Sequence, residues 1–193
     1  MPVITIVISE IAAVLTRFAG HTWYDAVSYG LVVPVLAFVP SAIHRQAPQL
    51  SPRWRTMMEW LAFALLAITA PATVKLHAMG FQYDRFLHFA AAFLSLFVAV
   101  GILTAYRPEF VRRGSRLVGA AALFMVAALF VWEGHQYTAD RIFGTRLFYD
   151  SQQSMKRDFW EDIGFGMLGI IGGLCVLVPR RGQLAELTLP PIS

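Results

Sequence analysis

Cysteine is almost absent from this chain. The single thiol, Cys175, rules out an intramolecular disulfide and any cysteine-based metal motif, and its place in an apolar run makes it a small packing residue. Charge is scarce too. Charged residues make up 15% of the sequence and gather between apolar runs, which excludes an amphipathic soluble bundle. The net charge is +4, but the basic residues are spread over separate loops and form no long run. The chain therefore lacks the footprint of a nucleic-acid partner. No nucleophile-elbow motif accompanies Ser151, Ser154 or the histidines, so a hydrolase triad has no support. Gly164-x-Gly166-x-x-Gly169 has dinucleotide-fingerprint spacing, yet it lies inside an apolar stretch with no strand before it and reads as helix packing. No internal repeat is visible, and only Pro34 interrupts an apolar run deeply, which counts against a transporter built from repeated halves.

What the chain has is apolar length. Hydrophobic residues are 57% of its 193 positions and the mean hydropathy is +0.57, the composition of one integral membrane domain over residues 1–193. Six runs suggest spans, and the expected fold is an all-α, polytopic transmembrane helical bundle of about six spans. The first, Val3 to Ala19, has no basic segment before it and no small-x-small site after it, so it reads as a retained helix and not a signal peptide. Glu10 near its middle would cost about 2.5–3.5 kcal/mol unpaired and is expected to be buried with a hydrogen-bond partner. The second run, Ala26 to Ile43, is expected to kink at Pro34 and close at Pro40, before a basic loop over 44–55. Met57 to Leu76 follows, with Glu59 at its entrance and Lys75 and His77 at its exit. The fourth span ends at Tyr106 before a basic loop broken by Pro108. Leu117 to Tyr137 and Met155 to Val178 are the fifth and sixth, separated by a polar loop over 138–154. The tail, 180–193, is expected to be mobile.

The loops set an orientation. Residues 44–55 and 106–116 and the tail after 179 hold nine of the sixteen Lys and Arg residues, and by the positive-inside rule they face the cytoplasm. This makes the chain a multi-pass membrane protein with a cytoplasmic C-terminus. Eight of the twelve acids then collect at the opposite face.

Polar residues also recur at helical spacing where three spans approach that face. Tyr83-Asp84-Arg85-Phe86-Leu87-His88-Phe89 opens the fourth span, and Asp84 and His88 share a face that continues as Ala91, Ala92, Ser95 and Ala99. Near the end of the fifth, Glu133, Gln136, Tyr137 and Asp140 share another. At the start of the sixth, Asp158 and Asp162 stack one turn apart, with Gly166, Gly169 and Gly173 continuing near that face. His88, Glu133 and Asp162 are expected to meet, with Asp84 and Asp158 one turn nearer to water. Three readings fit. Asp84, His88, Glu133, Asp158 and Asp162 would suit a divalent ion such as zinc, manganese or iron, with His88 and Glu133 as acid-base candidates and His77 and His135 as further ligands. Alternatively Arg85, Gln136 and Asp140, with Lys156 or Arg157, hold a lipid head group or solute. In the third, Asp84, Arg85, Arg157 and Asp158 pair at the interface and His88 bonds a carboxylate, locking the helices together.

Taken together, Tyr83-Asp84-Arg85-x-x-His88-Phe89, Trp132-Glu133 with Ala139-Asp140 and Gly144, and Asp158-x-x-x-Asp162 with Gly166-x-x-Gly169 resemble the YjdF-like family of bacterial inner-membrane proteins over about residues 30–178. More distantly the chain is similar to VanZ-like membrane proteins. The resemblance implies a small polytopic protein with a polar cluster near one membrane face, and supplies no reaction. Gln136 stands where the family often has a second acid. The working expectation is a site that recognises or modifies an amphiphilic lipid or envelope component. Its rival is a noncatalytic binding, transport or assembly role.

Overall fold

Apolar runs lacking any alternation fold here as helices. The computed structural model describes residues 2–18, 33–47, 50–69, 83–111, 113–143 and 154–183, and every regular element among them is helical. In chain order these are α1 (Pro2–Phe18), α2 (Val33–Gln46), α3 (Pro52–Thr69), α4 (Tyr83–Tyr106), the single turn α5 (Pro108–Val111), α6 (Gly114–Phe143) and α7 (Met155–Arg180). Three of them, α4, α6 and α7, are long and apolar enough to cross a membrane. The 24 residues of α4 rise about 36 Å, more than a hydrocarbon core of about 30 Å. By contrast α1 has 17 residues and α2 has 14, while the 18 of α3 include Arg53, Arg55 and Glu59.

Several boundaries differ from expectation. Pro40 does not close α2 but lies inside it, and the helix continues to Gln46. Pro34 falls in the first described turn of α2. The basic stretch 44–55 is mostly helical, because α3 starts at Pro52, a residue suited to a first turn, and carries Arg53 and Arg55. Helix α6 outlasts its apolar run by six residues, to Phe143, so Asp140 and Arg141 are helical rather than in a loop. Glu10 is exposed on α1 instead of buried, because that helix turns Ser9 and Ala12 inward. Residues 19–32, 70–82, 144–153 and 184–193, with Lys75, His77 and the tail, lie outside the described residues.

Helix α4 is central. It packs on α7 so closely that a Cβ at Gly169 would collide with the carbonyl oxygen of Phe89 and lie 3.0 Å from the backbone nitrogen of Phe93. In lipid, where apolar contact alone gives helices little reason to associate, such approach supplies the dispersion contacts that hold them together. Below that crossing, Leu96, Ala99 and Val100 of α4 pack with Leu117, Val118 and Ala121 of α6 and Leu177 of α7. On the other side of α4, the fully buried Trp54 of α3 donates from Nε1 to the carbonyl of Gly101 at 3.0 Å. Leu123, Phe124, Phe130, Val131 and Trp132 project outward from α6, as a surface meeting acyl chains would.

Candidate functional site

The early turns of α4 and α7 and a late turn of α6 bring three carboxyl side chains around one imidazole. His88 is central. Its Nε2 lies 3.5 Å from Asp84 Oδ1, one turn earlier on α4, and 3.5 Å from Asp162 Oδ1 on α7. Its Nδ1 lies 3.3 Å from Glu133 Oε1 on α6. The two ring nitrogens thus face different partners: a pair of aspartates on one side, a single glutamate on the other. All are buried, Glu133 to 2% exposure and Asp162 to 5%.

This arrangement has surplus acceptors. Glu133 Oε1 and Asp162 Oδ1 are shut from solvent, and neither accepts a well-aligned hydrogen bond among the described residues, although each approaches the imidazole. Three carboxyl groups meet one imidazole, so within the cluster a charged ring matches only one of them if all were ionised. Buried charge of one sign is costly unless protons or a cation balance it. Donor atoms of Asp84, His88 and Asp162 lie within 4.8 Å of one another, close enough for one ion to touch all three.

An apolar layer closes the inner side. Ala92 and Leu129, one turn inward from His88 and Glu133, pack with Ile163, and Gly166 gives Leu129 the room it occupies. Towards the bundle end the cluster opens into a narrow crevice between α6 and α7. Glu133, Gln136, Tyr137, Asp140, Met155, Asp158, Phe159 and Asp162 line it, around a volume of about 20 Å³.

Of the residues singled out in the sequence, Asp84, His88, Glu133 and Asp162 converge. Asp158 lies one turn above Asp162 on the crevice wall, and Gln136 and Asp140 line the same crevice. Arg85 is turned elsewhere. It donates from Nη2 and Nε to Glu161 Oε2 at 2.7 and 3.1 Å, while Arg157 Nε donates to Glu161 Oε1 at 3.1 Å. Glu161 is therefore the acid that two arginines share, a role that its place one residue before Asp162 concealed. His135 is exposed beside Trp132. Glu161 shares a shallow, open surface at the start of α7 with Ser154, Lys156, Arg157 and Trp160.

Residues 1–181, all seven helices included, match one protein family, described as Predicted membrane protein (DUF2238). The chain belongs to that family. Membership agrees with the three membrane-length helices. No curated protein and no solved structure matches the chain.

Proposed function

We propose that this membrane protein binds a divalent cation, zinc, manganese or iron, at Asp84, His88 and Asp162, and uses it in recognising or modifying an amphiphilic lipid or envelope component. The observation that carries the reading is the two-sided engagement of His88. Donors about 2.1 Å from one ion and tetrahedrally disposed stand about 3.4 Å apart, and both separations from His88 Nε2 to an aspartate oxygen are 3.5 Å. A histidine that ligates through one nitrogen typically gives its other N–H to a carboxylate, the position Glu133 occupies at Nδ1. Glu133 is then the group that orients the ligand, and Asp158 lies outside the coordination shell. Imidazole with two carboxylates suits borderline or hard divalent ions, and the lone Cys175 is far along α7 from Asp162.

The crevice that adjoins the cluster at Glu133 and Asp162, about 20 Å³, admits roughly one water-sized occupant and is too small for a head group. The open surface at the start of α7, with Lys156, Arg157 and Trp160 around Glu161, offers basic and aromatic side chains to an anionic head group at a membrane interface. In this reading the helices form about six spans of a bacterial-type inner membrane, the C-terminus is cytoplasmic and the site extracytoplasmic, in line with the YjdF-like resemblance. A three-ligand ion with an open position would polarise a phosphoester or activate water.

Cobalt(II) tests the site. Added to purified protein in detergent, it is expected to give visible ligand-field bands of low coordination number, absent from His88→Ala. Wild type without bands, or a His88→Ala variant that keeps them, overturns the proposal.

A further inference from the structure

We infer that the end of the bundle opposite His88 holds the phosphate of an anionic phospholipid against Arg113, Arg116 and Arg181, where the start of α6 meets the end of α7. The inference is independent of the cation site. All three membrane-length helices have a terminus here: α4 stops at Tyr106, α6 starts at Gly114 and α7 stops at Arg180. Packing brings their arginines together. A Cβ on Gly114 would lie 2.6 Å from the carbonyl oxygen of Arg181 and 3.1 Å from its Cβ, so the two helix ends touch through backbone. Arg113 adjoins that contact and Arg116 stands in the first turn of α6, while Leu117 and Leu177 share a buried cluster that fixes the crossing from within. Long side chains rising from backbones in contact can converge on one anion, and a phosphate suits them because its oxygens accept paired guanidinium donors.

Charge at this end is one-sided. Arg107, Arg113, Arg116, Arg180 and Arg181 are all exposed, and the one acid among the described residues of these helix ends is Glu109, 3.6 Å from Arg107 Nη1. Arg180 and Arg181 each donate from Nη1 to a backbone carbonyl, of Val176 at 3.1 Å and Val178 at 3.2 Å, which orders them without neutralising them. Arg113 and Arg116 have no acidic partner among the described residues. Like charges gathered in this way repel one another, and an anion between them turns that cost into attraction. The surface just below selects a lipid. Tyr106 is 58% exposed and Val178 42%, so a phosphate seated among the arginines lays its acyl chains over apolar side chains that a free anion would leave bare.

The experiment is native mass spectrometry of delipidated protein in detergent, titrated with dioleoylphosphatidylglycerol, dioleoylphosphatidylcholine or inorganic phosphate. Wild type is expected to bind the anionic lipid more tightly than the zwitterionic one, and Arg113→Gln with Arg116→Gln to lose about fivefold in affinity per charge removed, about 25-fold in all. Both positions are exposed, so neither substitution endangers the fold. Arg45→Gln with Arg53→Gln is the control. It removes the same charge from exposed positions at the same end, beyond α4, where Trp54 meets Gly101, and is expected to stay within about twofold of wild type. Equal binding of the two lipids overturns the proposal, and so does an equal loss in the two double variants, which would make the attraction a property of the whole face. Inorganic phosphate that displaces the anionic lipid at comparable concentration would make this a site for a free anion, which also overturns it.

Discussion

Replacing Glu133 isolates what its carboxylate does for His88. The oxygen lies 3.3 Å from Nδ1 and the side chain is 2% exposed, so no water can readily take its place. Glutamine keeps the shape and a neutral acceptor but loses the charge that makes the imidazole a better donor to a metal. Losses of this kind cost 10- to 100-fold in metal affinity, or about 1.4–2.7 kcal/mol. Glu133→Gln is therefore expected near the lower figure and Glu133→Ala near the upper, since alanine also leaves a buried Nδ1–H without an acceptor. The assay is competition for Zn²⁺ against a chromophoric chelator in detergent, with thermal unfolding measured on the same samples. Glu133→Gln within twofold of wild type would refute the orienting role. A loss as complete as that of His88→Ala, in protein that still unfolds cooperatively, would refute it from the other side and make Glu133 a ligand.

Three further substitutions test the scaffold. Gly169→Ala forces a methyl group against the Phe89 carbonyl, which is backbone and cannot rotate away; a loss of about 1–3 kcal/mol and weaker metal binding are expected, because Phe89 adjoins His88. Gly164→Ala, with nothing within 4 Å of the added carbon, should unfold at or slightly above the wild-type temperature. Trp54→Phe removes the donor to the Gly101 carbonyl inside a packed cluster and is expected to cost about 1–3 kcal/mol by thermal unfolding, with metal affinity unchanged at the other end of α4.

The site was more legible than the bundle around it. Asp84 and His88 share a face by spacing alone, and the alternation of basic and acidic loops put the starts of α4 and α7 and the end of α6 at one membrane face, which allowed His88, Glu133 and Asp162 to meet without requiring it. Which ring nitrogen met which acid did not follow, because rotation of α6 about its axis is set by Leu129 seating over Gly166, a contact between distant residues. Periodicity likewise missed the length of α6. Asp140 and Arg141 read as part of a loop after Tyr137, but the helix runs on to Phe143, with Asp140 lining the crevice and Arg141 standing over the Tyr137 ring. Glu10 failed for a related reason: composition says that a mid-helix acid is costly, not which way the helix faces. Glu161 carried no motif, and its two arginines come from different stretches of chain, one of them 76 residues away.

The measurement that bears most directly on the central claim is metal content by inductively coupled plasma mass spectrometry. Wild-type protein purified gently and without chelators would be analysed beside Asp84→Asn with Asp162→Asn, both checked for cooperative unfolding. Near-stoichiometric zinc, manganese or iron in the wild type, lost from the still-folded variant, is the predicted result. Wild-type protein that holds no transition metal, and takes none up when Zn²⁺, Mn²⁺ or Fe²⁺ is supplied, would contradict the account and make the His88 cluster a lock between α4, α6 and α7.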